Sequence, residues 1–136
     1  MAEILFKKAN DSAIIPTLEK GASCFDLYAP ERIDLKPDNS YTVCSGIIVS
    51  IPTGFVGIIN PRGYMASNNN IRVGARIIHP NHVREIKINL HNDGKDLYEI
   101  SKGDRVAQLV VVPSFTAFKV VEELQEQGQE FGSTGR

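Results

Sequence analysis

Apolar residues along this chain fall in short runs, and within several of them the apolar and polar positions alternate. Val83-Arg84-Glu85-Ile86-Lys87-Ile88-Asn89-Leu90 is the clearest case, with the period of two that a strand needs to bury one face. The same reading predicts strands at Ile4–Lys7, Cys24–Ala29, Tyr41–Ile51, Phe55–Asn60, Ile71–His79, Leu97–Ile100, Arg105–Val112 and Phe115–Val121, with Val83–His91 completing the set. Turn formers separate them at Lys36-Pro37-Asp38-Asn39, Pro52-Thr53-Gly54, His91-Asn92-Asp93-Gly94-Lys95 and Lys102-Gly103-Asp104. Many short strands between such turns predict an all-β sandwich, barrel or jelly roll. Helical periodicity is confined to a single turn at Tyr64–Asn68. Residues 122–136 differ in kind: Glu122 to Glu130 is acidic and nearly free of apolar residues, so this segment is expected to be a flexible arm on a β domain of residues 1–121.

The bulk numbers narrow the function classes. A chain of 136 residues makes one domain, able to bury roughly two-thirds of its unfolded surface. Its formal net charge is −1 and it has no Lys/Arg cluster, which argues against polymeric DNA or RNA as a partner. Cys24 and Cys44 both lie in strand-like runs, so they read as two buried free thiols in a reducing compartment, with a disulfide between them as the lesser alternative. Neither a signal pattern nor an apolar run of membrane-spanning length is present. The expectation is an intracellular protein, cytoplasmic or nuclear, with no membrane partner.

The candidate chemistry sits late in the chain. Gly103-Asp104-Arg105-Val106-Ala107-Gln108-Leu109 and Phe131-Gly132-Ser133-Thr134-Gly135 offer backbone N–H groups and small donors of the kind that cradle phosphate oxygens. With Gly21-Ala22-Ser23-Cys24-Phe25-Asp26-Leu27-Tyr28-Ala29, Pro61-Arg62-Gly63-Tyr64-Met65-Ala66 and Gly74–Ile86, they make five segments whose order and spacing resemble the trimeric dUTPase family. Each alone has a plainer reading: Gly103-Asp104 is an ordinary hairpin turn, Asp26 an exposed carboxylate on a packing strand, and Phe131 a pin for the tail.

The resemblance implies a β jelly roll assembled as a homotrimer, with active sites shared between subunits and closed by the C-terminal arm. It implies cleavage of dUTP between the α and β phosphates with Mg²⁺. Asp26 would meet the metal through water, in keeping with the few carboxylates that Mg²⁺ requires. Arg62 and Gln108 would face the phosphates, with Asp104 as partner of Arg62. Phe131 would cover the base, while Gly132, Ser133 and Thr134 would hold the outer phosphates.

Against this pattern stand several departures. At the positions of the family's base-site glycine, water-orienting aspartate, sugar-platform tyrosine and hairpin glycine, this chain has Arg76, His79, His82 and Arg84. An imidazole accepts a proton only when neutral and reaches a different place from a carboxylate. Arg76 and Arg84 are expected to obstruct the pocket, Arg84 by reshaping a hairpin tip where a left-handed backbone is costly. The second segment has Gly63 and Tyr64 where the family offers a serine, and Glu126 stands where the arm's arginine should be. His79, His82 and His91 also invite a metal reading, although zinc sites use three or four ligands.

Together these point to a degenerate member of the family, of the kind that viruses carry: a homotrimer keeping a remnant triphosphate pocket, weak or inactive as a pyrophosphatase, and used for protein interaction or regulation. Mg²⁺ would be needed only if the pocket still works. The alternative is an active Mg²⁺-dependent pyrophosphatase for dUTP or a related nucleotide, with His79 or Glu85 positioning water. A third reading is a nucleotide sensor without turnover.

Overall fold

A computed structural model of the chain describes residues 2–115 and 117–122. Ten strands and one short helix follow in order: β1 (Leu5–Lys8), β2 (Cys24–Tyr28), β3 (Ile33–Leu35), β4 (Ser40–Ser50), β5 (Phe55–Asn60), α1 (Gly63–Asn69), β6 (Ile71–Gly74), β7 (Ile77–Ile78), β8 (Arg84–Asn92), β9 (Tyr98–Ile100) and β10 (Arg105–Pro113). They form two four-stranded sheets, β1-β4-β8-β6 and β2-β10-β5-β7, and a small β3-β9 ribbon. Every pairing is antiparallel. The fold is all-β and jelly-roll-like, as the alternation predicts.

The core follows from that alternation. Ile86, Ile88 and Leu90 of β8 are buried between the exposed or half-buried Lys87 and Asn89. They join Val43, Ile47 and Val49 of β4 and, from the other sheet, Leu27, Ile59 and Leu109 in one buried cluster. Asn92 ends β8 fully buried, yet its amide is satisfied: Nδ2 donates to the Leu35 and Asp96 carbonyls, each at 2.9 Å, and Oδ1 accepts from Gly94 N–H at 2.8 Å.

Two strands differ from expectation. The predicted Ile71–His79 strand is two, because Ala75 takes a positive φ of 41° and turns the chain from the first sheet, through β6, into the second, through β7. Phe115–Val121 makes no strand among the described residues. After Pro113, Ser114 N–H still reaches the Gly54 carbonyl at 2.9 Å, but Phe115, Phe118 and Val120 are each more than 80% exposed. β3 was missed, being three residues between prolines. The expected turn at Tyr64–Asn68 is α1, closed by Asn70 in the left-handed conformation.

The thiols are free, as expected, but neither is buried. Cys24 is half-buried, and Cys44 is exposed on the outer face of β4 opposite Lys87. No described helix is long and apolar enough to cross a membrane.

Candidate functional site: a carboxylate between two guanidiniums at one edge of the second sheet

The register of β2, β10 and β5 sets Asp26, Gln108 and Asn60 abreast, and directly opposed residues of antiparallel strands share a face. Beside them the β2–β10 ladder slips between Arg105 and Ala107, a bulge that redirects the strand where it meets the site. A cavity of about 380 Å³ opens here, lined by the Glu19–Cys24 loop, Asp26, Arg62, Arg105 and Gln108.

Asp26 is the fixed point of this cavity. Its backbone pairs with Thr17, and its side chain is 11% exposed. Oδ1 accepts from Arg62 Nη1 at 2.9 Å, while Oδ2 lies 3.8 Å from Arg105 Nε. Arg62 is presented from the residue preceding α1. Arg105 also reaches Glu19 Oε1 at 3.5 Å.

The expected pairing of Arg62 with Asp104 is not found. Asp104 instead closes the turn before β10, where its N–H donates to the Ser101 carbonyl at 3.0 Å and its Oδ2 accepts from Ser101 N–H at 2.8 Å. Asp26, in the neighbouring strand, takes the guanidinium. Nearby, the Tyr98 phenol is pushed above its ordinary range by burial first, then by the charge of Asp104.

The residues at the departures are spread differently from expectation. Arg76 Nε donates to the Ile59 carbonyl at 3.0 Å and its Nη2 donates to Asn60 Oδ1, so the guanidinium is pinned to the end of β5. Arg76 and Arg84, expected to obstruct, line a cavity of about 410 Å³ between β7 and β8. In the turn before β8 the left-handed residue is Asn81, with φ 63°, rather than Arg84. Asn suits that conformation, and its Oδ1 accepts from Thr53 Oγ1 at 2.9 Å.

His79 and His82 are exposed and meet edge to face, with ring centroids 6.2 Å apart. His91 is drawn away from them to Ser40 Oγ at 2.6 Å and Asp93 Oδ1 at 3.2 Å. Among the described residues no group of three or more His, Cys, Asp or Glu could hold a metal ion, so the histidine-metal reading has no geometry behind it. Glu85, considered as a water-positioning acid, instead accepts from Gly46 N–H at 3.0 Å. Phe131, Gly132, Ser133, Thr134 and Glu126 lie outside the described residues.

Arg105 and Asn60 were missed as site residues. Arg105 follows a recognisable turn, which was the available signal. Asn60 ends an ordinary apolar strand and gave none.

An all-β domain that sets a buried carboxylate, two guanidiniums and a strand amide around one opening has the makings of a phosphate-sized anion pocket. The profile of the dUTPase family matches residues 10–135, and the chain belongs to that family. It is 34% identical over 99% of its length to the deoxyuridine 5'-triphosphate nucleotidohydrolase of Encephalitozoon cuniculi, covering 97% of that protein. The corresponding protein of Paramecium bursaria Chlorella virus 1 is also 34% identical, with 99% of each chain covered. Among solved structures, a Staphylococcus bacteriophage 80alpha dUTPase mutant with dUpNHpp superposes with a TM-score of 0.80 at 28% identity, covering 98% of this chain and 99% of that one. A phage phi11 dUTPase mutant, described as coordinating a structural Mg(II) ion, shares the fold with a TM-score of 0.80 at 23% identity, covering 89% of this chain and 97% of that one.

These relatives overturn the expectation of a weak or inactive remnant serving protein interaction. Proteins named for hydrolysing deoxyuridine triphosphate match this chain nearly end to end. Of the replacements that the expectation rested on, Arg76 does not plug a cavity, because its guanidinium is tied back to β5.

Proposed function

We propose that the chain is an active Mg²⁺-dependent dUTP pyrophosphatase that works as a homotrimer and releases dUMP and pyrophosphate. The observation that carries this reading is the cavity at Asp26, where Arg62, Arg105 and Gln108 converge. Arg62 and Arg105 donate charged N–H groups to phosphate oxygens, and such charge-assisted bonds are about twice as strong as neutral ones. Their contribution grows as charge builds on the departing pyrophosphate. Gln108 adds a neutral amide donor from β10.

The donor set fits Mg²⁺ held through water. Oδ1 of Asp26 is taken by Arg62, and Oδ2 faces Arg105 only at 3.8 Å, so it can accept from a water of a hydrated cation. One carboxylate with phosphate oxygens suffices for this ion, which when bound neutralises the triphosphate further. The resemblance sets His79 at the family's water-orienting position, where an imidazole would serve as the acceptor for a proton of the attacking water. The water oxygen bonds to the α phosphorus as the α–β bridging bond breaks. Phe131, Gly132, Ser133 and Thr134 of the arm would close over the base and outer phosphates. The exposed Phe115, Phe118 and Val120 just beyond β10 supply apolar surface for subunit contacts.

Pyrophosphate release from dUTP, with and without Mg²⁺, tests the activity. Turnover in the common enzyme range of roughly 1–10³ s⁻¹ is expected. No release above buffer at saturating dUTP and Mg²⁺ would overturn the reading. Light scattering that reports the 15.0 kDa of a single chain would overturn the trimer.

A further inference from the structure

The two guanidiniums of the Asp26 cavity are held in different ways. Arg62 is committed, its Nη1 donating to Asp26 Oδ1 at 2.9 Å, an ordinary length for a charge-assisted bond. Arg105 is suspended between two carboxylates, with Nε 3.8 Å from Asp26 Oδ2 and Nη2 3.5 Å from Glu19 Oε1. Both distances exceed that of a well-made hydrogen bond, so Arg105 can turn to a better acceptor.

Glu19 is placed for this contact by its loop. Thr17, two residues earlier, pairs with Asp26 through both of its backbone groups, at 2.8 and 3.3 Å, and its hydroxyl bonds Tyr28 Oη at 2.7 Å. Two residues later Gly21 takes φ 83°, and the Ala22 N–H donates to the Glu19 carbonyl at 2.9 Å. The backbone on both sides of Glu19 is therefore tied down beside the cavity. Its side chain is 67% exposed, so the carboxylate can swing into water at little cost.

The charged groups that line the cavity are Glu19, Asp26, Arg62 and Arg105, and they cancel. A phosphate oxygen that takes Arg105 must take it from Glu19. We infer that Glu19 is a positioning residue that competes with the nucleotide's phosphates for Arg105: it holds the guanidinium at the cavity, yields it as the triphosphate binds, and reclaims it as pyrophosphate leaves. This rests on the phosphate-binding reading of the same cavity and adds to it a residue that tunes affinity from the rim. An exposed ion pair is weak, so the competition is worth a few-fold in affinity rather than all or none.

The test uses inorganic pyrophosphate as the probe, titrated by calorimetry into the full chain with no metal added. Glu19→Gln, which keeps the side chain's shape and removes its charge, should bind pyrophosphate roughly 2–5-fold more tightly than the wild-type protein, as the strength of an exposed pair allows. Glu19→Asp keeps the charge but draws the carboxylate back by one methylene from a contact already at 3.5 Å, and should show most of the same gain. The KM for dUTP should fall by matching factors in both variants, with no rise in kcat. Equal or weaker pyrophosphate binding in Glu19→Gln would overturn the inference. So would a gain in Glu19→Gln with wild-type affinity in Glu19→Asp, because the effect would then belong to net charge and not to the contact with Arg105. If dUTP is not cleaved the pyrophosphatase reading fails separately, and the pyrophosphate titrations still decide this one. Pyrophosphate bound by none of the three proteins would overturn it.

Discussion

Removing Arg62 tests whether the Asp26 pair is scaffold, chemistry or both. The Nη1–Oδ1 distance is 2.9 Å, with side-chain exposures of 30% for Arg62 and 11% for Asp26. Bare Coulomb attraction at that distance is about 6 kcal/mol at an effective dielectric of about 20, an upper bound that desolvation offsets. Arg62→Ala leaves a mostly buried carboxylate without its charge-assisted bond, which costs roughly 1.5–3 kcal/mol. A loss of roughly 3–5 kcal/mol, as for a fully buried pair, is not expected, because Arg62 is partly in water and Arg105 still faces Oδ2 at 3.8 Å. Thermal melts should fall by roughly 5–15 °C for a chain of this length. In a double-mutant cycle with Asp26→Asn, the coupling should reach at least about 1 kcal/mol. The double variant should recover part of the stability yet none of the activity, with kcat down roughly 10²–10³-fold as for loss of one donor to a developing anion. Additive stabilities within about 0.5 kcal/mol, or near-normal turnover in Arg62→Ala, would refute the reasoning.

Three further outcomes follow from the geometry. Asn92→Leu removes the partners of the Gly94 N–H and the Leu35 and Asp96 carbonyls and should destabilise by roughly 2–4 kcal/mol in urea melts, whereas a surface asparagine would cost little. Gly46→Ala should cost roughly 1–3 kcal/mol in the same assay, because Gly46 has φ 73° at the β4–β8 irregularity and an added Cβ would lie 2.9 Å from Ala13 Cβ. The folded-state pKa of Tyr98 is raised, so the stability it contributes is fully present below about pH 10 and is lost as pH rises through the folded value. Tyr98→Phe should therefore flatten the alkaline fall in the urea midpoint, and an unchanged fall would assign it elsewhere.

The elements that were legible from sequence are those whose signal is local. β8 shows its alternation outright, β5 is bounded by Pro52-Thr53-Gly54 and Pro61, and the turn at Lys102-Gly103-Asp104 contains the one left-handed glycine it needs, Gly103 at φ 89°. Asp26, Arg62 and Gln108 were legible as a set, and the structure gathers them at one cavity. What was not legible depends on pairing across sheets. No local pattern says that Asp26 rather than Asp104 takes Arg62, because that choice is made by the β2–β10 register and the residue before α1. The split of Ile71–His79 at Ala75 was hidden for the same reason, since a continuous apolar run reads as one strand until two sheets claim its halves.

The misjudged step was to treat each replacement as if the new side chain occupied the volume of the old one. A glycine-to-arginine change then reads as a plug, and an inactive protein follows. A long side chain in the link between two strands has somewhere else to go when acceptors lie along a neighbouring strand. The Ile59 carbonyl and the Asn60 amide at the end of β5 provide them, so Arg76 becomes part of the wall and the cavity stays open. The left-handed residue moves in the same way, from the expected Arg84 to Asn81, where the side chain is anchored by Thr53. A substitution at such a segment can therefore be absorbed by neighbouring acceptors, as Arg76 is by the end of β5, and leave the cavity open.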